Sequence, residues 1–577
     1  MSSFPKHFVE QDYINPFPNH PSHLNPPTLP TVSERSPLIT KAPSATHPED
    51  LYAGSSYTSN DLTQPYVTAA SSSPSSSSLD ETDTLLENGL TRQQKLQAVA
   101  DSSRLSVKEL ATRELKILLR YSGPVVLTYV LQNSLQMASL ISLGHLGSLE
   151  LAASSLASMF AAVTCWSVSL GTATALDTLC SQAFTSHHPH TLGLHLQRSI
   201  LILMILFIPI AGIWIKSESI FIYLGQDPDL AQHTAIFLKC LLFGAPPYLV
   251  FECVKKYLQA QGIMDASTYV LLIASPINIV LNYVLVWNKY IGIGFIGAPI
   301  ATSISYWNIL ILLLLYIRFV NGYECWGGWS RECLTGWRAF LKLAIPGVMM
   351  VCTEWWAFEI VSLAASYLGT VALAAQSVVV QTSALLYTIP FGISIAASNR
   401  VGNLIGLGDH RSAKISSRVS IGLAIFFGLM NSTMLLIFKE SWGRLFTEDA
   451  QVVSTVAMIL PLVALFQVSD GIAGVSGGVL RGVGLQHLGA YLNLIAYYLV
   501  AFPIGYFLTF KFGWGLKGLW DALCLALWMV SLGELWVVTR TDWSSEVQKC
   551  KVRNERMAQR RASIEAEIEA DFPEVAE

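Results

Sequence analysis

Charge is scarce in this chain. Only 13% of its 577 residues are Asp, Glu, Lys or Arg, against about 25% in soluble domains. With 52% hydrophobic residues and a mean hydropathy of +0.45, that scarcity excludes a wholly soluble protein and points to a polytopic membrane protein. The formal net charge of −4 says less than where the charges fall.

Cysteine is sparse too. The nine cysteines, at 165, 180, 240, 253, 325, 333, 352, 524 and 550, form no paired framework and no CxxC pattern. They read as small apolar residues. A redox or metal role for Cys325 and Cys333, which share a loop, is the weaker alternative. No nucleophile–base set, zinc spacing or phosphate-binding loop lies in or beside the apolar runs, which argues against a membrane enzyme and against any cofactor. No apolar run after Met1 reads as a secretory signal peptide.

Residues 1–105 are rich in Ser, Pro, Thr and Asn, with SSSPSSSS at 71–78. Such a segment cannot bury enough apolar surface to fold and reads as a disordered cytosolic tail. Two pieces, Glu34–Ile39 (ERSPLI) and Glu81–Leu86 (ETDTLL), resemble acidic dileucine sorting signals. They would recruit a sorting adaptor and favour the vacuolar membrane, with the plasma membrane as the alternative.

Twelve apolar segments follow, at about 119–143, 151–176, 198–216, 233–256, 267–288, 296–318, 339–368, 373–398, 418–438, 453–480, 488–510 and 518–539. Each is about long enough to cross ~30 Å of hydrocarbon as a helix. Basic residues fall in alternate connections: seven precede the first span, among them Arg92, Arg113 and Arg120. Lys255 and Lys256, then Arg331, Arg338 and Lys342, then Arg400, Arg411, Lys414 and Arg418 mark further connections, and six lie after the last span. Connections 144–150 and 369–372 carry none. This positive-inside pattern predicts that both termini are cytosolic. The stretch 541–577 reads as a charged cytosolic tail, and its part RNERMAQRRASIEAEIEADFPEVAE (553–577) as a solvated helix or tail. No nucleic-acid partner is expected; the partners are the lipid bilayer and a small molecule.

The two halves repeat. GHLGSLELAASSLA (144–157) lies over SYLGTVALAAQSVV (366–379) at a shift of 222, which also relates Pro124 to Pro346 and Gly262 to Gly484. Gly294, Gly297 and Trp307 match Gly515, Gly518 and Trp528 at 221. Six helices per repeat give both halves one orientation. The expected fold is therefore an all-α membrane protein of twelve transmembrane helices. Its two six-helix lobes, 106–325 and 326–540, are related by a parallel pseudo-two-fold axis, an arrangement suited to alternating access.

Carboxylates inside the spans then stand out. A charged side chain at the bilayer centre costs at least ~2.5–3.5 kcal/mol and usually marks an ion or substrate path. MVCTEWWAFEI (350–360) carries Glu354 and Glu359, and LFQVSDGIAGVSGGVL (465–480) carries Asp470. Five residues separate the two glutamates, which sets them ~140° apart around a helix. One can line the central cleft while the other faces a neighbouring helix. The first-half counterparts are Gln132, Met137 and Tyr248, so the architecture alone does not demand these acids. Burial in an apolar medium favours the protonated carboxyl, and the ionised form pairs with a cation. One site could exchange protons for a cationic substrate. The plainer reading makes each acid a neutral, hydrogen-bonded helix contact. Gln132, Tyr129 and Trp355 are candidate cleft-lining residues. Asp177, Glu252 and Arg481 lie near helix ends and read as structural or gating. Lys239, Asp521 and Glu534 have no nameable partner, and the histidines of SHHPHTLGLH (186–195) read as a solvated loop rather than a metal tract.

These segments resemble a known family. ALDTLCSQAF (175–184), MVCTEWWAFE (350–359), LAAQS (373–377), IAASNRVGNLIG (395–406) and SGGVLRGVGLQ (476–486) are similar, in order, to the eukaryotic branch of the multidrug and toxin extrusion (MATE) family. The tail is fungal in style, and the match covers roughly 110–540. The resemblance implies cation-coupled efflux, with the proton as coupling ion and an organic cation or amphipathic xenobiotic as substrate. It implies that Glu354 and Asp470 are the transport carboxylates and that Glu359 matches a second acid important in animal members. Gln381 stands where animal members carry a further glutamate, a departure that bears on substrate preference and proton stoichiometry. A flippase or transporter for a metabolite or lipid-linked substrate on the same fold is the alternative.

Overall fold

The computed structural model describes residues 102–186 and 189–571. Both dileucine-like motifs, nearly all of the Ser/Pro-rich tail, His187 and His188 lie outside the described residues. Within them the chain is helical, with no strand. The twelve long passages are α1 (Val107–Gly144), α2 (Ser148–Phe184), α3 (Thr191–Ile215), α4 (Pro228–Leu241 and Ala245–Ala260) and α5 (Ala266–Trp287). They continue as α6 (Gly294–Phe319), α7 (Trp337–Ser366), α8 (Thr370–Leu407), α9 (His410–Leu445), α10 (Ala450–Val483), α11 (Gln486–Lys511) and α12 (Leu516–Arg540). A final helix, α13 (Trp543–Asp571), follows.

Ten passages are long and apolar enough to cross a membrane, and α4, bent by 53° at its break, makes an eleventh. The break falls where Gly244 presses on Ser303 of α6 so closely that a Cβ would meet its backbone at 2.7 Å. The remaining passage, α1, is 38 residues long but carries Lys108, Glu109, Arg113, Glu114, Lys116 and Arg120 in its first half. It begins with a capping box: Ser106 accepts from the Glu109 amide at 3.3 Å, and Glu109 accepts from the Ser106 amide at 2.9 Å.

Several helices outrun their apolar spans. α2 continues to Phe184 and α8 to Leu407. The added turns carry Asp177, Thr178, Gln182, Asn399, Arg400 and Asn403, all buried. Hydropathy ends the span at such residues, whereas the fold keeps them inside by pairing them.

The repeat is visible in backbone detail. α1 and α7 bear internal Pro124 and Pro346. α4 and α10 both end at a left-handed glycine, Gly262 (φ 83°) and Gly484 (φ 97°). α5 and α11 both loosen into π-helical turns, at Tyr283–Trp287 and Phe507–Lys511. Gly297 and Gly518 then press on the end of the preceding helix, at Leu285 and at Leu508 and Thr509. Each lobe has its own apolar core, one built on Leu176, Leu249, Tyr257 and Ile309, the other on Val456, Phe466, Tyr497 and Trp520. A third core joins Leu118, Tyr121 and Val125 of α1 to Ile393, Val401, Val475 and Val479 of α8 and α10.

The lobes meet most tightly at the end where α1 begins and α12 finishes, here termed the terminal end. Thr178 of α2 donates to the Arg481 carbonyl of α10, and Gln182 donates to the carbonyls of Gly482 and Val483 at 2.8 and 3.2 Å. Thr185 donates to the Asn403 carbonyl of α8 at 2.7 Å. Arg400 of α8 grips Glu114 of α1 with two hydrogen bonds, 2.9 and 2.6 Å. Small residues let the backbones approach: Gly171 of α2 packs on Val348 of α7, Gly392 of α8 on Val126, and Gly402 on Ser181. Toward the far end, Met137, Ile141, Leu363 and Leu385 are exposed.

The start of α13 packs on the lobes: Trp543 and Cys550 are buried in the third core, and Arg553 hydrogen-bonds Gln182. Two expectations need correcting. The later part of the histidine tract is not a solvated loop, since His195 is a buried residue of α3. Lys239 does have a partner, Glu218, at 3.8 Å on the surface.

Candidate functional site

In the second lobe, the Gly-rich stretch after Asp470 lets three helices crowd α10. Gly474 sits one turn beyond Asp470; a Cβ there would lie 2.9 Å from the Tyr387 hydroxyl of α8. At Gly477 a Cβ would lie 3.4 Å from a Glu534 carboxyl oxygen of α12, and at Gly478 it would strike Ser394 of α8. Ser394 donates to the Gly474 carbonyl at 2.5 Å and accepts from the Arg481 guanidinium at 2.7 Å. Asn493 of α11 donates to the Met350 carbonyl at 2.9 Å, one turn before Glu354. Glycine is needed here because a side chain would hold these helices apart.

Around this packed centre lie the acids. Asp470 is 6% exposed, Glu354 is half-buried and Glu534 is fully buried. Met350, one turn before Glu354, packs on Gly477 of α10, two turns beyond Asp470, and the Glu354 charge acts on Asp470. Glu534 feels both Glu354 and Arg481. The hydroxyls of Tyr387 and Tyr497, from α8 and α11, feel Glu354, Asp470 and Glu534 together. The fold thus gathers two of the sequence candidates, Glu354 and Asp470, and adds Glu534. Glu359 is half-buried one and a half turns along α7 and does not join the cluster. Trp355 and Gln381 are exposed.

In the first lobe, Gln132 and Tyr129 belong to a different assembly. Gln132 donates to Glu252 at 2.7 Å and to the Tyr248 hydroxyl at 3.2 Å, and accepts from Lys255 at 3.2 Å. Lys255 pairs with Glu252 at 2.7 Å and lies 4.5 Å over the Tyr129 ring. Tyr129 packs edge-on against Phe391 of α8, at the lobe seam. Lys256 pairs with Asp177 at 2.8 Å, and Arg481 reaches Asp177 across the seam at 3.7 Å. Asp177, Glu252 and Arg481 therefore form a buried network near the terminal end. Here each acid faces a base, so the charges offset one another. In the second-lobe cluster Arg481 acts on Glu354 and Glu534, while the charge that acts on Asp470 is another carboxylate, that of Glu354.

Sequence reasoning missed Glu534 because its neighbours come from α7, α10 and α11, all distant in the chain. The signal it did carry was an acid inside an apolar span with nothing opposite in sequence. No group of three or more His, Cys, Asp or Glu suited to a metal ion occurs among the described residues. The arrangement can bind protons or a cation in a low-dielectric setting.

Comparisons with known proteins agree with this architecture. The MatE family profile matches residues 124–284 and 346–507, one block in each lobe. An uncharacterised transporter of Schizosaccharomyces pombe is 43% identical over 76% of this chain and 81% of its own length. Human multidrug and toxin extrusion protein 1 is 36% identical over 76% of this chain and 77% of its own. The crystal structure of the eukaryotic MATE transporter AtDTX14 superimposes with a TM-score of 0.73 at 30% identity, covering 77% of this chain and 99% of that one. This chain, with its two six-helix lobes, belongs to the MatE family and is a eukaryotic multidrug and toxin extrusion transporter.

Proposed function

We propose that the protein is a proton-coupled antiporter that exports organic cations or amphipathic xenobiotics from the cytosol. The observation that carries this reading is the second-lobe acid cluster. Glu354 and Asp470, whose first-half counterparts are Gln132 and Tyr248, sit together in a site with more acid than base. Such a site must neutralise itself by taking up a proton or a cation. Competition between the two is antiport. The name of the human relative, a multidrug and toxin extrusion protein, supports the substrate class.

The transport carboxylates in this reading are Glu354 and Asp470, with Glu359 in an accessory position. In the same reading Gln132, Tyr129, Trp355 and Gln381 line the cleft and shape the substrate path. The basic connections place the terminal end in the cytosol, so the closed terminal end corresponds to a state facing away from it. The lobes divide near 325/326. The dileucine-like motifs favour the vacuolar membrane. No catalytic chemistry and no resident cofactor enter this mechanism.

The test is pH-gradient-driven uptake of a fluorescent organic cation, ethidium, into proteoliposomes. Wild type should exchange ethidium for protons without Na⁺, and Glu354→Gln and Asp470→Asn should be folded and inactive. Normal exchange by both variants would make the acids structural and the mechanism wrong. Uptake that needs Na⁺ rather than a pH gradient would replace the proton as coupling ion.

A further inference from the structure

Of the fully buried acids, Glu114 is paired with Arg400, whereas Glu534 is left unused by this mechanism. It lies in α12 between the backbones of Gly477 and Gly489: a Cβ built on Gly489 would come within 3.0 Å of its carboxyl. No side chain bonds either of its oxygens; the Gly477 backbone is what lies against its charge. An acid with a purely structural task in this position would be expected to hold a side-chain donor. At the equivalent place in the first lobe, a shift of 221 or 222, stand Leu313 and Leu312. The packing niche between the repeat's helices is thus one that leucine fills.

The surroundings give the carboxyl a use. From α7, Met350, one turn before Glu354, packs over the same niche; from α10, Gly477, one turn before Arg481, lines it; and the Glu534 charge acts on Tyr387 of α8 and Tyr497 of α11. Asp470 acts on the same two tyrosines and on Glu354. At the start of α11, His487 looks elsewhere, toward Lys342 and Glu546. Burial deepens from Glu354 to Asp470 to Glu534. Arg481 also reaches Asp177 in the other lobe at 3.7 Å. Arg481 is thus common to the second-lobe acids and to a charge pair that spans the lobe seam.

We propose that Glu534 is a third proton-binding carboxyl of the transport site, and that its charge sets how Arg481 divides between the second-lobe acids and Asp177. The inference rests on the reading of the protein as a proton antiporter. The step is a simple protonation: the carboxylate takes one proton, which leaves again as the cycle completes. With Glu534 ionised, Arg481 is drawn into the second lobe. With Glu534 neutral, Arg481 is free to hold Asp177 and keep the terminal end closed, the arrangement seen here. Proton uptake at the site is thereby tied to the contact between lobes.

The experiment measures the proton-to-ethidium ratio in proteoliposomes, from the pH gradient that just halts a fixed ethidium gradient, together with the pH profile of uptake. Glu534→Gln is expected to lower the ratio by one proton and to flatten the profile. Glu534→Asp, which keeps the carboxyl on a shorter arm, should retain the wild-type ratio with a displaced midpoint. A folded Glu534→Gln with the wild-type ratio and profile overturns the proposal. If the Gln variant does not fold, the Asp variant decides: a profile that coincides with wild type sinks the idea, and a displaced one supports it. Failure of wild type to couple ethidium to protons would instead remove the antiport reading and this inference with it.

Discussion

Arg400 of α8 and Glu114 of α1 are joined across the lobe seam by a two-pronged, fully buried ion pair, with the guanidinium Nε at 2.9 Å from one carboxyl oxygen and Nη2 at 2.6 Å from the other. Neither partner has access to water. Removing one member strands the other charge, which typically costs about 3–5 kcal/mol. Glu114→Ala should lower the melting temperature of the detergent-purified protein sharply. The double variant Glu114→Leu with Arg400→Met should recover most of that loss. A Glu114→Ala protein as stable as wild type would show that the pair is not what holds α1 to α8.

The two glutamates of α7 should separate in their effects. Glu354 acts on Asp470 and Glu534, whereas Glu359 stands outside that cluster. Glu354→Gln should reduce pH-driven uptake by more than about tenfold, while Glu359→Gln keeps uptake within about threefold of wild type. Equal losses in both would mean that the site extends further along α7 than the cluster described here.

The seam depends on close backbone approach at Gly402, where a Cβ would overlap the Ser181 hydroxyl of α2. Gly402→Leu should wedge the terminal end apart. Pairs of spin labels placed on the terminal-end loops of the two lobes should report a longer distance in the variant. An unchanged distance distribution would locate the closing force elsewhere.

The first turn of α1 supplies a pH test outside the membrane. The Glu109 carboxyl is held below its ordinary 4.5 by hydrogen bonds from the Ser106 hydroxyl and amide. A carboxyl lowered in the folded state stabilises the turn above its unfolded value and loses that effect as pH falls through the folded value. The protection of the amides at residues 109–110, measured against their intrinsic exchange rate at each pH, should therefore fall as pH drops below the ordinary carboxylate range. In Glu109→Gln, which keeps the reciprocal cap without a titrating group, the protection should not change with pH.

Much of this was legible in the chain. The offset of 222 that pairs Gly262 with Gly484 announced the repeat, and both residues close their helices in the left-handed conformation. Asp470 before its glycines marked the site because an acid inside hydrocarbon needs a reason. What was not legible depends on partners far away in sequence. Hydropathy stopped α2 near residue 176 because it could not foresee that Thr178 and Gln182 would be used against α10. It read Glu534 as partnerless, since Gly477 and Gly489 become its walls only once α10 and α11 fold around it. It did not foresee that Trp543 and Cys550 would be buried, because their apolar partners come from α8 and α9 rather than from nearby sequence.

One detail of the seam bears on how the transporter turns over. The acceptors that α2 reaches on α10, the carbonyls of Arg481, Gly482 and Val483, belong to a last helical turn that has no acceptor use within its own helix. The opposite lobe thus serves as the C-cap of α10. Water can do the same work at the same oxygens, so parting the lobes exchanges one set of hydrogen bonds for another at little net cost. The equilibrium between the two faces of the cycle then becomes a competition with solvent. Osmolytes that are excluded from protein surfaces, added on the terminal side, should bias the molecule toward the joined form and slow its cycling without touching the transport site.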